Sequence, residues 1–279
     1  MAAAGELGVL RALRPYLARP TSELTIAAPD DDAAVWRARD GLEVQTIDTM
    51  VEDVDFRPRW PEFDFRLLGR RLMAINLSDL AAMGARPRYA LIAACLPRRM
   101  RLDQVRRLYR GIADQAARFG CLVAGGDLSA IDGPLVLTAA LTGEVPRGRH
   151  PLTRTGARPG WSIAVTGRLG AAALGLRALE GGGRLTGAAR RRCVRALLDP
   201  EPRVSAGLLL AECGIPVAGD ISDGLFREVE KLAAPAGLGA TIDVGALPLD
   251  ASLGRGRAAW RSLAVSEDFE LVCAAPAPR

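Results

Sequence analysis

Histidine and lysine are nearly absent from this sequence. There is one His, His150, and among 37 basic residues a single Lys, Lys231. The only histidine lies in the Gly-, Pro- and Arg-rich stretch 145–160, which argues against His-based zinc clusters and a Ser-His-Asp triad. Lys231 is not part of a G-x-x-x-x-G-K-[ST] loop, and no protein-kinase catalytic-loop motif occurs. Aromatics make up only 5% of residues, too few for a base-stacking platform, and the +5 net charge is arginine spread along the chain. Nucleic acid is therefore not an expected partner. The five cysteines, Cys95, Cys121, Cys193, Cys213 and Cys273, are scattered and form no C-x-x-C pair. That pattern fits a reducing compartment rather than a disulfide framework. No apolar run approaches the roughly 18 residues of a membrane span. The opening MAAAGELGVLRAL carries Glu6 and no basic region ahead of a long apolar core, so neither a secretory signal nor a membrane partner is expected. The expected location is the cytoplasm.

What is present is a mixed α/β pattern long enough, at 279 residues and 49% hydrophobic, for two cores. Strands are predicted at 42–51, 88–96, 121–124 and 134–145, and helices at 64–83 and 102–119. The Gly-, Pro- and Arg-rich stretch VPRGRHPLTRTGARPG at 145–160 is the predicted boundary between an N-terminal domain, 1–147, and a C-terminal domain, 148–279. Beyond it the pattern predicts strands at 162–166, 241–244 (TIDV) and 269–274, and helices at 170–180, 187–198, 203–213 and 222–235.

Acidic residues recur beside turns and helix ends. They are Asp30, Asp31 and Asp32; Asp48, Glu52, Asp53 and Asp55; Asp79; Asp127; and Asp220 with Asp223. Most have ordinary structural explanations. Asp220 or Ser222 suits an N-cap, and Asp127 after two glycines suits a turn. Asp79 differs. Leu68, Leu72, Ile75, Asp79 and Met83 recur at helical spacing, which puts this carboxylate on an apolar stripe. Gly84 and Pro87 mark a helix end, where the macrodipole disfavours an anion. A buried Asp79 requires a cation, either an arginine or a divalent metal. Several short-armed aspartates together favour Mg²⁺, and with it phosphates. GRLGAAALG at 167–175 also offers glycines after a strand that open a helix toward a phosphate, without dinucleotide spacing.

The stretches DDDAAV, TIDTMVEDVDF, AINLSDLAAMGARP, FGCLVAGGDLS, LTRTGARPG, GDISDGL and SEDFE, in this order, resemble the thiamine-monophosphate kinase family. That family lies within the aminoimidazole-ribonucleotide synthetase-like ATP-binding superfamily. The resemblance implies a two-domain α/β (α+β) fold with a dimerising N-terminal domain, a homodimer, and ATP as co-substrate with Mg²⁺. By motif position it implies Asp32, Thr46, Asp48, Asp79, Asp127, Asp220 and Asp223 as metal-facing residues. Arg154, Gly126, Asp127, Ser222 and Tyr109 are implied as nucleotide contacts, and Asp55 and Glu267 lie on the side of thiamine monophosphate. Asp79, Arg154 and Asp223 are the implied catalytic set. The implied reaction is direct in-line phosphoryl transfer from ATP to thiamine monophosphate.

Departures from the family pattern concentrate on the substrate side. Ile47 stands where a hydroxyl residue is usual beside Asp48, and Asp55 replaces a histidine. Val265-Ser266 replaces a glycine pair, and the sequence ends at CAAPAPR, before the segment that in the family completes the C-terminal domain. The alternatives to thiamine monophosphate as acceptor are another phosphorylated small molecule, or nucleotide binding without turnover.

Overall fold

The computed structural model describes residues 8, 12–17, 19, 21–26, 35–36, 41–182, 185–254 and 256–276. Asp30, Asp31 and Asp32 lie outside them. The chain divides into two compact units, 1–76 with 87–144, and 77–86 with 145–279.

The first unit is built on a four-stranded sheet in the order β3-β6-β4-β5. These strands are β3 (Glu43–Val51), β4 (Arg86–Pro97), β5 (Leu122–Ile131) and β6 (Val136–Glu144). β3 pairs antiparallel with β6, and β4 pairs parallel with β5. A two-stranded antiparallel ribbon, β1 (Leu24–Ile26) and β2 (Val35–Trp36), precedes it. Two helices belong with this sheet, α1 (Phe65–Ala82) and α2 (Leu102–Arg118). Asp64 caps α1 by accepting the Arg66 N–H at 2.7 Å. Gln104 opens α2 by accepting the Arg101 N–H at 2.8 Å. The two helices meet at glycines: a Cβ on Gly69 would stand 2.1 Å from the Leu108 carbonyl oxygen, and one on Gly111 would stand 1.9 Å from that of Arg66. Leu72, Met73, Leu108 and Ile112 are fully buried. Each contributes about 1.5–3 kcal/mol of apolar burial.

The second unit carries a three-stranded antiparallel sheet in the order β7-β9-β8: β7 (Ser162–Val165), β8 (Val217–Asp220) and β9 (Leu271–Ala275). Its helices are α3 (Ala171–Leu179), α4 (Gly187–Leu198), α5 (Val204–Glu212), α6 (Leu225–Ala233) and α7 (Arg257–Leu263). Val217, Ile221, Leu225, Val229, Leu263 and Val272 form its core. The last turn of α1 groups with this unit. There Gly84, at φ +64°, lets the chain leave the helix, and the Ala85 N–H closes back on the Leu80 carbonyl.

Most predicted elements are present near their predicted ends, but β5 runs on to Ile131 rather than 124, β1 and β2 were not predicted, and three further differences stand out. The stretch 241–244 is not a strand: the Asp243 side chain accepts the Gly245 N–H at 2.8 Å, and this local turn competes with extended pairing. β8 was not predicted, because four wholly buried residues show no alternation. α7 was not predicted either. Among the described residues no helix is long and apolar enough to cross a membrane, and all five cysteines are free.

Candidate active site

The second unit holds the densest group of buried charge. β8 ends at Asp220, which is 2% exposed and carries its carboxylate against the end of α1. The Ser78 hydroxyl donates to Asp220 Oδ2 at 3.0 Å. Burial, and next the charge of Asp79, push the Asp220 pKa up to about 7. The buried Asp220 carboxylate thus has a like charge beside it and the Arg154 guanidinium 3.9 Å away. The sequence reading needs correcting here. Asp79 is only half-buried, because Leu72, Met73, Leu77, Ser78, Leu80 and Ala81 bury α1 on nearly every side and the apolar stripe is not its only inner face. The deeply buried acid is its neighbour in space, Asp220. Nor does Asp220 or Ser222 cap α6, whose N-cap is Gly224 with no side-chain bond.

Asp223 lies on the surface at the start of α6. The Lys231 ammonium, 3.0 Å from Asp223 Oδ2, holds that carboxyl below its ordinary pKa. The same ammonium donates to Glu228 Oε1 at 2.7 Å. Burial works against the charged lysine, but its bonds to Glu228 and Asp223 outweigh this and raise its pKa. Arg154, with its side chain 48% exposed, places Nη2 3.9 Å from Asp220 and 3.6 Å from Glu228. Sequence reasoning missed both Glu228 and Lys231. The signal was present for Glu228, which shares a helical face with Leu225, Val229 and Leu232, as an acid on an apolar stripe does. Lys231 stands apart from any phosphate loop in sequence, but the helix turns it back onto Asp223.

Two further expectations change. The N-terminus of α3, at GRLGAAALG, does not face an open phosphate site, because the protein fills it. Gly170 N–H donates to Asp268 Oδ2 at 2.8 Å, and the N–H groups of Ala172 and Ala173 donate to Asp268 and Ser266 at 3.4 Å. Burial raises the Asp268 pKa. SEDFE is thus partly a helix cap, and Glu267 sits half-buried within it. A cavity of about 740 Å³ in this unit is lined mostly by apolar side chains such as Ile163, Val165, Leu225, Val229 and Leu247, with Arg158, Thr241 and Asp243 also on its wall. That mostly apolar lining does not suit a polyphosphate.

In the first unit Thr46 and Asp48 share a face of β3 with buried Met50, opposite Leu141 and Ala139 of β6. Asp127 is not a turn residue: it lies in β5, paired with Ala93 and open to solvent. Gly126 before it is required by the backbone, since a Cβ there would stand 1.8 Å from the Ile92 carbonyl oxygen. Tyr109 is 4% exposed, and burial, then the charge of Asp127, push its hydroxyl pKa up. Asp55 accepts the Val51 N–H at 2.7 Å, closing the turn after β3. Glu52 accepts the Leu135 N–H at 2.7 Å and pairs with Arg99 at 2.6 Å. The second half of TIDTMVEDVDF is therefore a structural clasp.

Among the described residues no three His, Cys, Asp or Glu side chains make a complete metal site. Asp79 and Asp220 are the carboxylates that could contribute to a Mg²⁺ completed by substrate phosphates and water.

Residues 30–145 match the family model for the N-terminal domain of AIR synthase related proteins. The chain is 32% identical over 246 residues to the thiamine-monophosphate kinase of Bacillus subtilis, covering 86% of this chain and 75% of that protein. The crystal structure of the thiamine-monophosphate kinase from Stenotrophomonas maltophilia superposes with a TM-score of 0.83 at 32% identity, over 98% of this chain and 86% of that one. A structure of AaThiL complexed with AMPPCP and TMP superposes at 0.77 with 25% identity, over 99% and 86% of the two chains.

Proposed function

This chain belongs to the thiamine-monophosphate kinase family and is a kinase, and on that premise we propose that it transfers the γ-phosphoryl group of ATP to thiamine monophosphate, giving thiamine diphosphate and ADP. The observation that carries this is the buried Asp220 beside Asp79, with the Arg154 guanidinium 3.9 Å away, in a chain whose fold matches a protein complexed with AMPPCP and TMP.

Asp79 and Asp220 would hold Mg²⁺, which when bound neutralises phosphate charge and aligns the transferring group. The half-exposed Arg154 guanidinium binds phosphate oxygens, and its fork geometry keeps them in line. Asp223 and Ser222 serve the same nucleotide from the start of α6. In the first unit Thr46, Asp48 and Asp127 are assigned to metal, with Gly126 and Tyr109 toward the nucleotide. Asp32 joins the metal set by its motif alone. Asp55 and Glu267 are assigned to the thiamine side, Asp55 through the turn it closes rather than a free carboxylate. The acceptor phosphate is already anionic, so no side chain has to remove a proton from it. Alignment and charge neutralisation are the catalysis, which accords with a chain that has one histidine, exposed in a loop. The chain also acts as a homodimer through the open face of the first unit's sheet, where Ile47 is 66% exposed.

The test is direct. Purified protein with Mg·ATP and thiamine monophosphate should yield thiamine diphosphate and ADP, and Asp79→Asn should abolish that turnover while circular dichroism stays unchanged. ADP formed only with some other phosphorylated acceptor would replace the substrate. Nucleotide binding without acceptor-dependent ADP would replace the kinase reading with a binding role.

A further inference from the structure

Glu228 is 1% exposed, and its Oε2 is buried and accepts no hydrogen bond from the described residues. A buried carboxylate oxygen in that state is costly, and the cation at hand is Arg154, whose Nη2 lies 3.6 Å away. The other oxygen is satisfied by Lys231 at 2.7 Å. Each of these cations also faces one aspartate of GDISDGL: Arg154 faces Asp220 at 3.9 Å and Lys231 faces Asp223 at 3.0 Å. Glu228 is thus the anion that these two cations share. Among the described residues, half-exposed Arg154 has no shorter ion pair than the one to Glu228. Gly219 lies beneath it, where a Cβ would stand 3.5 Å from Arg154 Nε, in ordinary van der Waals contact.

We propose that Glu228 is a positioning residue for Arg154: from under α6 its buried carboxylate sets where the guanidinium stands, and so how it meets the nucleotide phosphates, while Lys231 anchors the carboxylate from the other side. This rests on the reading of Arg154 as a phosphate ligand. A carboxylate that orients an arginine without touching the ligand changes ligand affinity only while that arginine is present. A residue that merely supports the fold changes it regardless.

The test is a double-mutant cycle read by calorimetry with Mg·AMPPCP, using Glu228→Gln, Arg154→Ala and the pair, alongside kcat and KM for ATP. Glu228→Gln alone should weaken AMPPCP binding about 3- to 30-fold, raising KM for ATP in step, and should have no further effect once Arg154 is alanine. Glu228→Asp, with a shorter arm and the same charge, should recover part of the loss and serves in the cycle if Gln lowers the melting temperature too far. Wild-type affinity in Glu228→Gln overturns the proposal, as does an equal loss with and without Arg154. If Arg154→Ala itself binds AMPPCP as wild type does, the phosphate reading of Arg154 has failed instead, which is a separate result. The single lysine gives an independent readout. In Glu228→Gln, Lys231 loses its charged partner on that side and should acylate faster with acetic anhydride, followed on its one peptide by mass spectrometry. An unchanged rate counts against the anchor.

Discussion

The Ser78 hydroxyl and the Asp220 carboxylate meet at 3.0 Å although 142 positions separate them in the chain. The bond joins the end of α1 to the end of β8, and it steadies a carboxylate otherwise raised by burial and by Asp79. Ser78→Ala should leave Asp220 Oδ2 without its donor and cost about 1–3 kcal/mol in urea unfolding. A change under about 0.5 kcal/mol would show that solvent reaches the carboxylate.

Mg²⁺ should stabilise the protein even without nucleotide, because it relieves the Asp79–Asp220 repulsion. Each kcal/mol of linkage raises the melting temperature by about 2–4 °C at this chain length. Asp220→Asn should melt no lower than wild type in metal-free buffer and should lose the Mg²⁺ shift. A variant that keeps the full shift would place the metal elsewhere.

Ile47 exposes two-thirds of its surface on the open face of the first unit's sheet. Ile47→Asp should move the protein from dimer to monomer in sedimentation velocity without changing its circular dichroism. Equal sedimentation of the two forms would remove this face from the interface.

Gly111 carries the helix–helix approach of the first unit. Gly111→Ala would press a methyl to within 1.9 Å of the Arg66 carbonyl and should cost about 1–3 kcal/mol or more. Gly148→Ala, with nothing within 4 Å of its virtual Cβ but φ +76°, separates the two causes: it reports backbone strain without a clash. A comparable loss in both variants would mean that conformation, not packing, dominates.

Arg192 donates to both Asp250 oxygens, at 2.9 and 3.0 Å, and holds that carboxyl below its usual pKa. A depressed folded-state pKa adds stability above the unfolded value and loses it as pH falls through the folded one. Asp250→Asn should therefore cost about 1–3 kcal/mol at neutral pH, nearer the lower figure because Arg192 is half exposed. The gap from wild type should begin to narrow below about pH 4 and close only once pH falls through the lower folded-state value. A gap that does not narrow at all on acidification would point to packing rather than charge.

The sequence by itself determined the mixed α/β class, the family, and most of the helices and strands. All of these rest on short-range signals: helical and strand periodicity, glycine stops, and motifs of a few residues. Tertiary structure alone decided which carboxylate is deeply buried, Asp220 rather than Asp79. It also decided that Asp268 fills the α3 N-terminus from 98 positions away, and that Glu228 stands between Arg154 and Lys231. The reason is that burial and charge pairing depend on what the fold brings in from elsewhere in the chain. An aspartate in β8 is an ordinary strand end until α1 arrives with Ser78 and Asp79. No local pattern carries that information.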